Sequence, residues 1–193
     1  MSTLRSRPAG PPAATVSTSG GIGRPTSRYA EEVSDALRRQ HSPELTRRRL
    51  AVGLTLLATA SLAVVEAYQV GLLRHVPEPP WPGLDADRVD AAGEAYALLG
   101  TPDAGLGIAS YGISLVLFGA GTESRAEDKP WLPLLAAGKA LLDATSAGYL
   151  FTEQVTKHRR VCSWCTVGAL ANVATVPLAL PEARRAWRAL RRR

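Results

Sequence analysis

The stretch VCSWCTVGALANVATVPLAL, residues 161–180, is apolar, long enough to cross a membrane, and carries both cysteines of this chain at its start. Cys162 and Cys165 are separated by two residues, a spacing at which a small disulfide closes and reopens. Unpaired N–H groups at a helix start favour a thiolate, and so do the nearby cations Lys157, Arg159 and Arg160. The stretch therefore predicts a membrane helix with a redox-active cysteine pair in its first turn.

Two other interpretations of the cysteine pair remain open. The first is a zinc site, which is the weaker interpretation and not the one predicted. A closed zinc site needs four ligands, and the three histidines of the chain, His41, His75 and His158, are scattered. The two thiols would otherwise be buried as small apolar residues without chemistry.

Three further segments approach the roughly 20 apolar residues that a bilayer span requires. The first and the last segments lack the wide polar face of a soluble surface helix. A soluble bundle remains the alternative, because the two middle segments are only moderately apolar. We expect an all-α bundle of four transmembrane helices, with a short outer-loop helix, and spans at residues 50–73, 104–120, 131–155 and 161–180.

The positive charge of the chain lies at its two ends. Residues 1–49 hold nine arginines against four acids, residues 181–193 hold six against one, and the part between is net acidic. No aromatic residues alternate with these arginines, which argues against nucleic-acid binding. Arginines beside apolar segments stay in the cytoplasm. Four spans in the cell (inner) membrane would leave both termini cytoplasmic and the cysteines at the outer face, where disulfides form.

The composition divides the chain into three parts. Residues 1–45 predict a cytoplasmic tail, disordered over residues 1–28, which are rich in Pro, Gly, Ser and Thr, with a short amphipathic helix over residues 29–42. Residues 46–180 predict the membrane domain, and residues 181–193 a basic cytoplasmic tail. The first apolar segment begins near residue 50 and is too long for the core of a signal peptide.

Two further stretches carry a resemblance to a known family. YALLGTPDAGLG, residues 96–107, has a Gly-x-Pro followed by small residues at the second span, and GYLF, residues 148–151, leads towards the cysteines. With the C-x-x-C at the outer start of a fourth helix, these features resemble the vitamin K epoxide reductase family over residues 46–180. The resemblance implies a membrane oxidoreductase that passes electrons from the thiols of a thioredoxin-like extracytoplasmic protein to a menaquinone- or ubiquinone-type quinone. It also implies that a short helix within residues 85–98 caps the quinone pocket.

The outer loop departs from the pattern of that family. Its members usually carry a second, electron-relaying cysteine pair there, and this chain has no further cysteine. Setting residues 100–102 on the Gly-x-Pro puts Asp87 about where the nearer loop cysteine would stand, with Asp90 and Glu94 adding charge. Some members have a tyrosine at the position of Ala169. A non-catalytic membrane protein on the same fold, with a vestigial or structural C-x-x-C, therefore stays open beside the oxidoreductase.

Individual residues are candidates for roles in this chemistry. Cys162 is expected to meet the partner thiol, and Cys165, one turn deeper, the quinone. Glu153 is a candidate proton carrier, although a simple ion pair with Lys157 one turn on would also account for it. Tyrosine and tryptophan more often pack or anchor at the membrane interface. Candidate quinone contacts are Trp164, Tyr111, Ser110 and Tyr149.

Lys139 and Asp143 interrupt the third segment with opposite charges one turn apart. This spacing predicts an ion pair within the helix. Their position towards the inner half of the segment places the pair far from the thiols.

Overall fold

The computed structural model describes residues 28–193, so nearly all of the expected disordered tail lies outside the described residues. Regular structure in this part is helical, apart from one parallel β-bridge between Leu84 and Val161, and the all-α class is confirmed. A 3₁₀ helix (Gly93–Tyr96) and a π-helical turn (Gln154–His158) occur as well. The α-helices are α1 (Arg28–Arg39), α2 (Pro43–Gln69), α3 (Ala86–Asp90), α4 (Asp103–Gly119), α5 (Arg125–Asp128), α6 (Trp131–Glu153) and α7 (Ser163–Leu190).

Helix α7 is the centre of the bundle. It packs against α2 and α6, and α2 packs on its other side against α4. Alanines form much of the buried surface between these helices, with Phe118 among them. A Cβ atom at Gly107 would lie 2.5 Å from Leu62 Cδ1, so the glycines of α4 permit its close approach to α2. Small residues at such contacts are typical of helix packing in membranes.

Helices α2 and α7 are each long and apolar enough to cross a bilayer, and α4 is a shorter apolar helix of 17 residues. The four long helices also direct large apolar side chains outwards, away from the bundle. Examples are Leu56 on α2, Ile113 on α4, Leu135 on α6 and Leu170 on α7, which are about half exposed or more. An outward apolar surface of this kind is suited to lipid rather than water.

The end of the fourth segment differs from the sequence-based expectation. The apolar run was expected to end at Pro181, but α7 continues through Pro177 and Pro181 as far as Leu190. A proline inside a helix removes one hydrogen bond. Tertiary contacts oppose this loss, because Ala183 packs in the main core and Glu182 forms a buried ion pair.

Two buried arginines close the end of the bundle opposite the cysteines. The Arg48 guanidinium donates to the carbonyl oxygens of residues 118–122, where α4 ends. Arg125 donates to both carboxylate oxygens of Glu182 on α7, at 2.8 and 2.7 Å, and also to the Leu117 carbonyl. Cations near the carboxyl end of a helix complement its free carbonyl groups, and these arginines fix the ends of α4, α5 and α7 together.

Candidate functional site

An outer segment, defined here as residues 76–92, folds back over the first turn of α7. The Glu78 carboxylate accepts hydrogen bonds from the N–H and the hydroxyl of Ser163, at 3.3 and 3.1 Å. The indole N–H of Trp164 donates to the Pro77 carbonyl at 2.7 Å. The β-bridge beside Val161 adds two backbone hydrogen bonds to this contact. The cysteine pair is therefore covered by this segment at its end of the bundle.

Cys162 is the N-cap residue of α7 and is completely buried. Its Sγ accepts the N–H of Cys165 at 3.2 Å, and its own N–H donates to Gln154 Oε1 at 3.0 Å. A sulfur that receives an N–H at a helix start is placed where a thiolate is favoured. Both cysteines are free thiols.

Asp90, the last residue of α3, lies against the cysteine pair. The Cys165 thiol donates to Asp90 Oδ1 at 3.4 Å, and Asp90 is only 4 % exposed. Burial raises the pKa of Asp90 to about 6, although hydrogen bonds from Cys162 and Cys165 act in the opposite direction. The two sulfurs and a carboxylate oxygen lie within 4.8 Å of one another, a set of three potential metal ligands. A closed zinc site needs a fourth.

A cavity of about 280 Å³ opens beside Cys165, between the helices and under the outer segment. The sequence predicts a short helix within residues 85–98 with Val89, Ala92, Ala95 and Tyr96 facing down. Val89, Ala92 and Ala95 line the cavity from above, whereas Tyr96 is not among its lining residues. The volume is close to the lower end of the range for small-molecule pockets. Its other lining residues are apolar side chains, mostly from α2, α4, α6 and α7, together with polar side chains that include Glu94 of the 3₁₀ helix and Gln154 and His158 of the π-helical turn.

The predicted ion pair of α6 is present and belongs to a polar network inside the bundle. Lys139 Nζ donates to Asp143 and, at 2.8 Å, to the Ser110 hydroxyl, while Ser114 donates to Asp143 Oδ2 at 2.7 Å. Ser110 and Asp143 line the same cavity as Cys165. The pair is therefore not separated from the thiol site as its sequence position indicated, because the cavity extends down between α4 and α6.

The other candidate quinone contacts divide into two groups. Tyr111 lines the cavity, and its hydroxyl accepts a hydrogen bond from the Asn172 amide at 2.5 Å. Trp164 and Tyr149 are not among the lining residues. Trp164 is tied to the outer segment, and Tyr149 is 63 % exposed and donates to Glu153.

Glu153 lies at the rim of the cavity and forms an ion pair with Lys157. The two neighbouring cations of the sequence pattern, Arg159 and Arg160, are exposed. These surface groups therefore do not contact the sulfurs. The ionisable side chain that does contact a sulfur is the buried Asp90.

Asp87 forms hydrogen bonds at the start of the outer segment and does not contact the thiols. Its carboxylate accepts the N–H of Val76 at 2.7 Å and contacts His75 Nδ1 at 2.6 Å. Although burial alone would raise it, the pKa of Asp87 is lowered, because these two groups favour the carboxylate. The alignment with the family pattern pointed to Asp87, whereas the residue beside the cysteines is Asp90, one turn later.

Removing the Glu78 carboxylate is expected to uncover Cys162. Glu78→Ala deletes the hydrogen bonds to Ser163 and one from the Ala86 N–H at 2.6 Å. Hydrogen bonds to a charged group contribute about 1.5–3 kcal/mol, so alkylation of Cys162 should accelerate roughly 10- to 100-fold. The rate is measured with a water-soluble maleimide in a Cys165→Ala background. Glu123→Ala, at the opposite end of the bundle, is the control, and equal rates in both variants would contradict a covering role.

The fold and the site together define a helical bundle of membrane type with a thiol pair at one end. The Vitamin K epoxide reductase family model matches residues 49–180, so the chain belongs to this family and the resemblance is confirmed. Proteins of the family are integral to membranes and use quinones together with thiol partners. A comparison with curated proteins finds no match to this chain.

Proposed function

We propose that this chain is a membrane thiol–quinone oxidoreductase that uses one C-x-x-C pair without a loop relay. The observation that carries the proposal is the placement of Cys165, which lines the cavity while its N–H contacts Cys162 Sγ. Apolar side chains of the four long helices form one part of the cavity wall, which suits a quinone ring, and polar side chains form the rest. Ser110 and Tyr111 are the proposed hydrogen-bonding groups for the quinone.

The proposed cycle moves two electrons and two protons in each turn. A thiolate of a thioredoxin-like partner attacks the disulfide at Cys162, and Cys165 leaves as a thiolate. A second partner thiolate then displaces Cys162, which releases the oxidised partner. The reduced pair gives two electrons and two protons to the quinone of menaquinone or ubiquinone type, so that quinol forms and the Cys162–Cys165 disulfide closes again.

Access of the partner to Cys162 requires the outer segment to open. Cys162 is buried beneath that segment, and relatives usually relay electrons through loop cysteines that this chain lacks. Opening would break the Trp164–Pro77 and Glu78–Ser163 hydrogen bonds, which join the segment to the first turn of α7. In this scheme the outer segment alternates between covering the pair and admitting the partner.

The proposed topology has four spans, α2, α4, α6 and α7, with both termini in the cytoplasm. Support comes from the outward apolar side chains of these helices and from the arginines at the end opposite the cysteines. Residues 46–180 would then form the membrane domain, and the C-x-x-C would lie in the oxidising outer compartment. The two cytoplasmic tails would be residues 1–45 and residues 181–193. The second tail would be helical in part, because α7 continues into it as far as Leu190.

Quinone-dependent oxidation of the pair tests this function. Membranes holding the reduced protein are incubated with a soluble quinone or with its quinol, and free thiols are counted by an alkylation gel shift. We expect both thiols to disappear with quinone and to persist with quinol, and Cys165→Ala to abolish quinol formation. Thiols that persist with quinone, or oxidise equally with quinol, would favour a non-catalytic protein, an alternative that the burial of Cys162 also suggests.

A further inference from the structure

The carboxylate of Asp90 has no evident structural function. Its Oδ2 atom is buried and has no hydrogen-bond partner within the described residues 28–193. Within that part of the chain its carboxylate accepts hydrogen bonds only from the two thiols, that of Cys165 at 3.4 Å on Oδ1, and no salt bridge to Asp90 is found there. A buried and incompletely paired carboxylate costs stability, so its presence requires another explanation.

The surroundings of Asp90 place it between the sulfur and the cavity. It lines the cavity together with Cys165. Gln69 of α2 donates to its backbone carbonyl at 3.2 Å, which fixes the end of α3 above the thiols without engaging the carboxylate. A ring bound in the cavity would therefore lie beside both the reacting sulfur and this carboxylate.

We propose that Asp90 is a catalytic residue, which takes the proton of Cys165 and delivers it to an oxygen of the bound quinone. This inference rests on the proposed function and assigns its proton transfer. The S–H bond of Cys165 breaks as the Asp90 O–H bond forms, and the electron pair of the sulfur forms an S–C bond to the quinone ring, which places a negative charge on one quinone oxygen. Asp90 then returns the proton to the reduced quinone oxygen. The Cys162 sulfur then attacks the Cys165 sulfur, the S–S bond forms as the S–C bond breaks, and the electron pair of that bond stays with the ring. The proton of the Cys162 thiol goes to the second quinone oxygen, which completes the quinol.

The pKa of Asp90 allows it both to accept a proton from Cys165 and to donate that proton to the quinone oxygen. Burial raises its pKa to about 6, the hydrogen bonds from Cys162 and Cys165 lower it, and the negative charges of Asp103 on α4 and Glu78 in the outer segment raise it. His158 of the π-helical turn also lines the cavity. At neutral pH the group is therefore largely ionised and accepts a proton, and its conjugate acid is strong enough to return it.

Single-turnover kinetics test the role of Asp90. The full chain, reduced and held in lipid nanodiscs without oxygen, is mixed with a short-chain ubiquinone, and quinone absorbance is followed from pH 5 to pH 9. The wild-type rate is expected to fall below about pH 6 as Asp90 becomes protonated. Asp90→Asn should lower the rate at pH 7.5 by about 100-fold or more and remove this pH dependence, as general acid–base catalysis requires.

Two variants separate proton transfer from a loss of structure. Asp85→Asn, at the N-cap of the same short helix, removes the same charge but keeps an N-cap acceptor, and its rate should equal that of the wild type. Asp90→Ala with added formate should regain part of the rate, since formate supplies a carboxylate. A wild type that never reduces quinone overturns both proposals. A wild-type rate that Asp90→Asn leaves within threefold, with its pH profile kept, overturns only the role of Asp90.

Discussion

Glu182→Ala is expected to lower the free energy of unfolding by about 3–5 kcal/mol, because it leaves a buried cation without its partner. The Arg125 side chain is 1 % exposed, and the Glu182 carboxylate receives two of its N–H groups, at 2.8 and 2.7 Å. Arginine side chains keep their positive charge in proteins, so a buried one needs a counter-ion. The variant should therefore unfold at a clearly lower temperature in detergent, measured by circular dichroism.

Glu44→Ala is the matched control for this prediction. Glu44 pairs with Arg185 at 3.0 Å, but that arginine is 37 % exposed, so the loss should stay below about 1 kcal/mol. Arg125→Met combined with Glu182→Leu should unfold at a higher temperature than Glu182→Ala alone, since no unpaired charge remains. Equal melting temperatures for Glu44→Ala and Glu182→Ala would contradict a stabilising function of the buried pair.

The ion pair between Arg125 and Glu182 also explains why the sequence-based prediction ended the fourth helix too early. Pro181 ends the apolar run and is a normal signal for a helix end. The local signal does not contain Arg125, which is more than fifty residues earlier in the chain and pairs with Glu182 one residue after the proline. The continuation of the helix depends on that distant contact, which no local pattern in the sequence indicates.

The candidate site was predictable only in part, because local sequence does not reveal contacts between distant residues. The spacing of Cys162 and Cys165 and their position at a helix start follow from local sequence, and the structure places them there. Asp90 was seen only as additional loop charge. Asp87 and Asp90 are one turn apart on a short helix, and the packing of that helix over α7 decides which of them contacts sulfur. Glu78 was missed because its partner, Ser163, is 85 residues away.

Asp143→Ala is expected to destabilise the bundle by about 3–5 kcal/mol, because Lys139 would keep a buried charge with only hydroxyl partners. The Lys139 and Asp143 side chains are 13 % and 7 % exposed, and both contact Ser110 and Ser114. A charged side chain without a counter-ion inside a membrane helix is costly, and hydroxyl groups compensate for it only in part. Thermal unfolding in detergent measures the loss.

The double variant Lys139→Met with Asp143→Leu distinguishes an unpaired charge from a packing defect. It removes both charges and keeps apolar volume, so it should unfold at a higher temperature than Asp143→Ala. A double variant as unstable as Asp143→Ala would mean that packing around residue 143, and not the charge of Lys139, sets the cost. Because Ser110 and Asp143 also line the cavity, the more stable double variant allows quinone reduction to be measured without the network in a folded protein. If the double variant has a raised KM for quinone and an unchanged rate at saturation, the network contributes to quinone binding. Such a result means that the lost interactions stabilise bound quinone and the transition state equally.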